Sequence, residues 1–269
     1  MSYGRDRILR VCLSFYLHTP NCRTTILRFT SKYPCGTISF MNTNPDLATI
    51  AALIADPARA TMLSALMSDI ALPAGELARL AKITPQTASS HLARLVKGNL
   101  VSMTKMGRHR YFRLSNKEVA RALETLALIA PPARIHSLND TLERKAIYRA
   151  RTCYDHLAGE LGVGLTQALI DQGFIQHHDE TYEVTPIGEN QFNSFGIDCL
   201  QLQGKRRLFA RACLDWSERK PHLAGALGAA ILQRSFELKW IVRVSGSRAI
   251  RVTEAGCNHF KNEFGLEWK

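Results

Sequence analysis

The strongest constraint on how this chain folds is that part of it occurs twice. His156-Leu-Ala-Gly-Glu-Leu-Gly162 returns sixty-six residues later as His222-Leu-Ala-Gly-Ala-Leu-Gly228. The correspondence runs on through Gln167 with Gln233, Ile175 with Ile241, and Val184-Thr185 with Val252-Thr253. Gly188, Asn190 and Phe192 match Gly256, Asn258 and Phe260, and Phe195-Gly196 matches Phe264-Gly265. So ordered a series is an internal duplication. Each copy has the pattern helix, strand, turn, strand, helix. In the first, Leu165–Gln172 is helical, Phe174–Val184 is a hairpin turning at Asp179-Glu180, and Thr185 caps a helix over Pro186–Phe195. In the second, Ala229–Leu238 is helical, Trp240–Val252 is a hairpin turning at Ser245-Gly246-Ser247, and Thr253-Glu254 opens the last helix. Upstream, Leu138–Leu161 is predicted as one long helix. Two modules of this kind make a scaffold with a cleft between them and a pseudo-twofold axis.

A different pattern occupies Leu72–Leu114. Glu76–Ala81 is a short helix with Leu77 and Leu80 inward, and Lys82-Ile83 is a turn. Thr84 is a good N-cap and Pro85 suits the first helical position. Over Gln86–Val96, Ala88, Leu92, Leu95 and Val96 form an apolar stripe at helical spacing. Thr84, Gln86, Thr87, Ser89, Ser90, His91 and Arg94 supply the opposite, polar face, with groups that suit base edges or phosphates. Gly98-Asn99 stops the helix. Leu100–Lys105 and Arg110–Leu114 alternate as strands, and the tip between them carries Arg108 and His109, with Arg110 beside it. A short helix, a turn and a longer helix occur in many domains. The basic hairpin at that spacing singles out a winged helix-turn-helix that binds double-stranded DNA. The alternative is a winged helix serving as a structural or protein-interaction module without specific DNA binding.

As a set, these segments resemble the ArsR-type winged-helix repressors of bacteria. Asp56-Pro57-Ala58-Arg59 looks like the entry helix of that family, and Glu76-Leu77-Ala78 is similar to its ELA segment. Ser89-Ser90-His91-Leu92 resembles its S-x-H-L recognition pattern, followed by Gly98-Asn99-Leu100-Val101. Gly107-Arg108 and Tyr111-Phe112-Arg113-Leu114 resemble its wing. The likeness spans about Leu47–Ala130. It implies a homodimer formed through the first and last helices, around Leu47–Ala55 and Asn116–Ala130. It also implies a palindromic operator and release by a signal. The metal ligands that many members carry are missing here: Ala74–Leu80 has no Cys, and Asn116–Ala130 has no His. Some ArsR-like proteins resemble this chain in a long C-terminal extension with Cys-Tyr-Asp-His-Leu-Ala-Gly and Cys-x-Asp-Trp elements.

The fold class expected is mainly α with small β-wings, an α+β mix. A winged helix-turn-helix precedes a duplicated, winged-helix-like C-terminal domain. The divisions are an extension at 1–40, the winged helix at 41–130, a linker at 131–137 opened by Pro131-Pro132, and a regulatory domain at 138–269. The last contains repeats at about 150–198 and 210–269. The chain has 269 residues and a net charge of +12, which favours a polyanion partner without specifying one. Residues 1–40 carry +5 of that charge and do not resemble the rest. Ile8–Leu17 is largely apolar, with Arg5 and Arg7 before it and Arg10 within it, but is followed by no clear small-residue cleavage site. Met41 as the true start, or disorder before it, is the expectation. Seven cysteines, an odd number, suggest reduced thiols in a bacterial cytoplasm, and no apolar run reaches membrane-spanning length.

In the C-terminal half, Cys153-Tyr154-Asp155-His156 and Cys213-Leu214-Asp215-Trp216, with His222 beyond, each set a Cys, an Asp and a His close together. Cys153, His156, Cys213, Asp215, Trp216 and His222 are therefore the candidate effector site, built where the copies face each other. No cofactor is assigned. A small organic effector is the leading expectation, and a metal ion, to which thiolate and imidazole are suited, comes second. On the predicted long helix, Cys153 and His156 share a face at i, i+3. Arg151, Arg206, Arg207 and Arg211 favour an anionic effector. The bland alternative is that both histidines bridge helices and both cysteines are small buried hydrophobes. No catalytic residues are assigned. The chain has no phosphate-cradling glycine loop and no G-x-S-x-G, and a triad of Cys153, Asp155 and His156 at i, i+2 and i+3 of one helix cannot converge on one point.

Overall fold

The architecture was read from a computed structural model that describes residues 44–132, 137–204 and 206–268. The extension at 1–40 and the middle of the 131–137 linker lie outside the described residues. Helix α1, Leu47–Ile54, is capped by Asp46, and α2, Pro57–Ala65, by Asp56 with Pro57 in its first turn. Strand β1, Leu72–Pro73, leads into α3, Ala74–Leu80, and then α4, Pro85–Lys97. The turn between α3 and α4 places Lys82 at φ 54°. The Thr84 side chain accepts the Thr87 amide, as its sequence position predicts. Strands β2, Val101–Met106, and β3, His109–Leu114, form the wing, with β1 on the outer side of β3. Helix α5, Lys117–Ile129, closes this part. Met62, Leu63, Leu66, Leu77, Ala88, Leu92, Leu95 and Phe112 are buried together, and the apolar stripe of α4 is what joins that core.

Helix α6 spans Leu138–Arg149 only. The long helix predicted over Leu138–Leu161 is broken, and the break makes the site. Ala150 is extended, β4 runs Arg151–Cys153, and Tyr154 turns at φ 57° into β5, His156–Ala158. Cys153 and His156 are register partners across this hairpin and do not share a helix face. Tertiary hydrogen bonds explain the departure. The Thr152 amide donates to the Arg248 carbonyl, and the Ile250 amide donates to that of Ala150. Neither bond is available to a helix isolated from the second copy.

Helix α7, Gly159–Asp171, follows directly, then the hairpin β6, Ile175–His178, and β7, Thr181–Val184, and helix α8, Pro186–Ser194. A short α9, Cys199–Gln203, joins the copies. The second copy repeats the order: β8, Arg211–Leu214; β9, Pro221–Ala224; α10, Gly225–Glu237; β10, Ile241–Arg243; β11, Ile250–Val252; and α11, Glu254–Phe264. Thr185 and Thr253 cap α8 and α11 alike, accepting the amides of Gly188 and Gly256. Each repeat therefore carries an initial hairpin beyond the five-element pattern predicted. Strands β6-β7-β8-β9 form one antiparallel sheet. Within 46–269 the winged helix and the duplicated part belong to one compact unit.

The two copies pack reciprocally. A Cβ on Gly162 of α7 would lie 2.5 Å from the Leu157 carbonyl oxygen and 3.7 Å from the His222 Cβ. A Cβ on Gly228 of α10 would meet the Leu223 carbonyl oxygen at 2.5 Å and the His156 Cβ at 3.3 Å. Each glycine admits the other copy's histidine hairpin against its helix. Two surfaces related in this exchanged way are the mark of a twofold relation.

Arg151 and Asp215 lie at that join, both with fully buried side chains, 2.7 Å apart. Asp215 also accepts the amides of Gly159, Ser217 and Glu218 and the Ser217 hydroxyl. Removing one member of a buried pair strands the other charge, which costs about 3–5 kcal/mol. Asp215→Ala and Arg151→Ala should each lower unfolding free energy by about that amount in chemical denaturation. The double substitution should cost clearly less than the sum, and additive losses would show that the two do not act as a pair.

Candidate functional site

On the winged helix, Gln86, Thr87, Ser89, Ser90 and Arg94 are exposed along α4, as the sequence predicts. Thr84 and Thr87 hydroxyls bond each other at 2.9 Å, and Ser89 donates to the Pro85 carbonyl. Gln86, Ser90 and Arg94 are left as the outward-reaching polar groups of the helix. His91 behaves differently. It is half-buried, with Nδ1 3.2 Å from Arg59 Nη1 and Nε2 3.9 Å from Asp56. Arg59 in turn donates to the Leu53 and Ala52 carbonyls at 2.6 and 2.8 Å. One buried guanidinium thus satisfies the open C-terminal end of α1 and orients α4 through His91.

The wing turns through Gly107-Arg108, and Gly107 has φ 59°, the conformation a two-residue hairpin of this hand requires. Arg108, His109 and Arg110 are exposed, as are Lys105 and Arg113. Lys105 and Arg110 are direct register partners. Like charges placed opposite each other destabilise a bare hairpin, so this arrangement is relieved by an anion.

In the duplicated half, four of the six candidate effector residues converge. Cys153, His156, Cys213 and His222 present one ligand atom each within 4.8 Å of all the others. The cysteine sulfurs are 4.0 Å apart and the two Nε2 atoms 3.1 Å apart. Cys213 and His222 are register partners on β8 and β9, as Cys153 and His156 are on β4 and β5. Each hairpin therefore offers a thiol and an imidazole from directly opposed positions on one face. Behind the rings stand carboxylates: Asp155 Oδ1 is 3.2 Å from His156 Nδ1, and Asp215 Oδ2 is 3.1 Å from His222 Nδ1. Asp155 is itself gripped by both Nη atoms of Arg207, at 2.6 and 3.0 Å.

The electrostatics follow from this packing. The hydrogen bond to Cys213, then burial, pushes the Cys153 thiol well above its usual pKa. The same hydrogen bond, supported by His156 and His222, holds Cys213 well below. Burial opposes ionisation of Asp215, but His222, Arg151 and the Gly159 amide outweigh it and keep the carboxyl below the usual range. For His222, burial disfavours the charged ring, and Asp215 and Cys213 more than compensate, raising its pKa.

Two predicted effector residues do not join the cluster's open side. Asp215 is wholly buried behind His222. Trp216 stacks under Arg151, whose Cζ is 4.1 Å from the ring centre, and meets Tyr148 edge-on. Arg151 is likewise used inside the protein and is not available to an anionic effector. Arg206, Arg207 and Arg211, by contrast, line a cleft of about 600 Å³ whose floor includes Cys153, His156 and Cys213. Helix α5 forms the facing wall through Lys117, Arg121 and Glu124. Sequence reasoning missed Arg59, and it missed Tyr154, which packs with the winged-helix core from the β4–β5 turn. Burial and the nearby Asp69 carboxylate push the Tyr154 phenol up to about 12. The helical premise used against a Cys153–Asp155–His156 triad also fails, since these residues lie on a hairpin.

A helix-turn-helix domain family matches residues 54–104. The uncharacterized HTH-type transcriptional regulator YdfF of Bacillus subtilis is 48% identical over 224 residues, spanning 83% of this chain and 99% of that protein. Among solved structures, NolR from Sinorhizobium fredii is 28% identical, with a TM-score of 0.30, over 32% of this chain and 86% of its own. The cadmium metal-sensor CmtR from Mycobacterium tuberculosis is 31% identical, with a TM-score of 0.28, over 34% of this chain and 96% of its own.

Replacing Arg59 by Ala should strand the α1 carbonyls and release His91. The expected loss is on the order of 2 kcal/mol of unfolding free energy, read from the denaturant midpoint. An unchanged midpoint would show that solvent replaces Arg59 without cost.

Proposed function

We infer the role of this chain from the helix-turn-helix transcriptional regulators, to which it belongs by its relation to YdfF along nearly the whole of that protein, and from the resemblance of its winged helix to the ArsR type. It is a DNA-binding transcriptional regulator. It acts as a sequence-specific repressor, binds a palindromic operator as a homodimer in the bacterial cytoplasm, and is released by an effector received in the C-terminal domain.

The observation that carries this reading is the pairing of an exposed polar α4 with a wing whose cations face one another. Gln86 and Ser90 stand near the N-terminal end of α4, where this motif reaches base edges. Arg108 and Arg110 stand where a wing meets phosphates. Dimerisation is supported by α1 and α5. Helix α1 has no buried residue, α5 buries only Ala120, and Leu47, Leu126 and Ile129 are exposed. Val119 and Leu123 of α5 pack on the winged-helix core, and the exposed Ala122, Leu126 and Ile129 leave apolar surface for a partner. The cleft between α5 and the Cys–His cluster is the natural place for an effector, because one wall belongs to the dimerising helix.

Gln86→Ala or Ser90→Ala should weaken operator binding by about 1–3 kcal/mol and relax base preference. Arg108→Ala and Arg110→Ala should instead weaken binding to every sequence and reduce the salt slope by roughly one each. Quantitative binding to operator and scrambled DNA across a salt series reads both effects. Equal affinity for operator and scrambled DNA at every salt concentration would favour the protein-interaction module.

A further inference from the structure

We propose that Cys153, His156, Cys213 and His222 bind one divalent metal ion of the zinc class, in a tetrahedral site assembled across the duplication. The site differs from the positions in α3 and α5 where the ArsR-type pattern places ligands. It is also independent of the DNA-binding reading.

Three observations carry the proposal. The first is the donor set. Two thiols and two imidazoles from four separate strands select zinc over hard cations, which prefer oxygen. The second is the span of the cluster. With Zn–S near 2.3 Å and Zn–N near 2.0–2.1 Å, a tetrahedron sets the sulfurs about 3.8 Å apart and the nitrogens about 3.3 Å apart. The protein holds them at 4.0 and 3.1 Å. The widest separation, 4.8 Å, leaves about 1 Å of closure on binding.

The third is the outer shell. Each Nδ1 lies beside a carboxylate: His156 Nδ1 is hydrogen-bonded to Asp155, and His222 Nδ1 is 3.1 Å from Asp215, in ion-pair range but without a well-directed hydrogen bond, so the negative charge favours the ring proton on that side. Both Nε2 lone pairs then aim at one point 3.1 Å across, an arrangement that is repulsive unless a cation or a proton lies between them. Asp155 and Asp215 are in turn fixed by Arg207 and Arg151. Carboxylate-braced histidines with their free nitrogens converging are what a metal site requires of its second layer. Three ligands line the floor of the cleft beside α5, which gives the ion a way in.

The ligands also explain why the copies are retained together. Each hairpin supplies only one Cys and one His, so neither copy holds a tetrahedral ion alone. An ion at this point joins the copies through four bonds, where Gly162 and Gly228 already admit the opposing histidines.

The test uses the full chain, purified reduced and without chelator. Elemental analysis should return about one zinc per chain. After chelator treatment, Co²⁺ titrated into the reduced protein should give the visible bands of tetrahedral cobalt and a thiolate-to-cobalt charge-transfer band. Cys213→Ser should lose the charge-transfer intensity of one sulfur, and the Cys153→Ser/Cys213→Ser double variant should lose the band entirely. Asp155→Asn should keep the spectrum and bind Co²⁺ about 10–100-fold more weakly. The wild-type spectrum needs no variant, so a misfolded variant does not spoil the test. Reduced wild-type protein that gives no charge-transfer band overturns the proposal. A band that persists in a folded double variant also overturns it, by moving the metal to other cysteines. Metal content is read without DNA, so failure here and failure of operator binding are distinguishable.

Discussion

At the join between the copies, a single carboxylate ties its own turn to a segment of the first copy 56 to 64 residues away. Asp215 takes the Arg151 guanidinium from the first copy, the Gly159 amide at the start of α7, and the local amides that shape its own turn. On its remaining side it braces His222. Desolvating a charge to this degree is costly unless it is paired and hydrogen-bonded, and Asp215 accepts from Arg151, from the Gly159, Ser217 and Glu218 amides and from the Ser217 hydroxyl. The same desolvation makes the arrangement specific. A different register of the hairpins would separate Arg151 from Asp215 and leave two buried charges unpaired. The apolar contacts of Leu161, Leu223, Leu227 and Ile231 supply the bulk of the burial. The ion pair decides which way round the copies meet.

That join is mechanically tied to the winged helix. The β4–β5 hairpin carries Cys153 and His156, and its turn residue Tyr154 packs into the winged-helix core. Asp155, next along, lies 3.7 Å from Lys117 in the first turn of α5. Arg248 on the second copy pairs with Glu124 of α5 at 2.6 Å, both nearly buried, and Arg243 donates to the Ser68 carbonyl. A shift of the hairpin by a fraction of an ångström must therefore be accommodated by α5 or by the segment after α2. Packed interfaces of this kind accommodate shifts by repacking between discrete arrangements. Two of the cations that make the second hairpin basic, Arg243 and Arg248, are consumed in these contacts. This is why the duplicated half resembles a winged helix in order without presenting the exposed basic wing of the first.

Much of this was legible in the sequence, and the limits are physical. The helix-turn-helix was readable because Thr84, Pro85 and the Ala88–Leu92–Leu95 stripe are local signals that tertiary packing reinforces. The wing was readable because its strands alternate between core and solvent at Phe112, Arg113 and Leu114. His91 could not be placed by pattern, since its partner Arg59 lies thirty-two residues away. Strands β4 and β5 were lost for a different reason. They are three residues each and buried throughout, so they show no alternation and pass for a continuation of α6. Period alone cannot separate a short buried strand from a buried helix.

One signal could have found them. Arg151, Cys153 and Asp155 match Arg211, Cys213 and Asp215 at an offset of sixty, whereas His156 through Ile175 match at sixty-six and the pairs beyond at sixty-eight and sixty-nine. Six residues have entered between the Asp and the His of the second copy. An insertion of that length inside a helix would rotate everything beyond it by about 600°, leaving it about 120° from its original face, and the stripe would leave the core. Between two paired strands it only lengthens the turn. The change of offset therefore requires a turn between Asp and His in both copies, with strands on either side. It places each Cys on one strand and each His on the next, so that two opposed hairpins converge on four ligand atoms. The duplication holds the geometry of the cluster as well as its residues, because only a hairpin tolerates the difference between the copies.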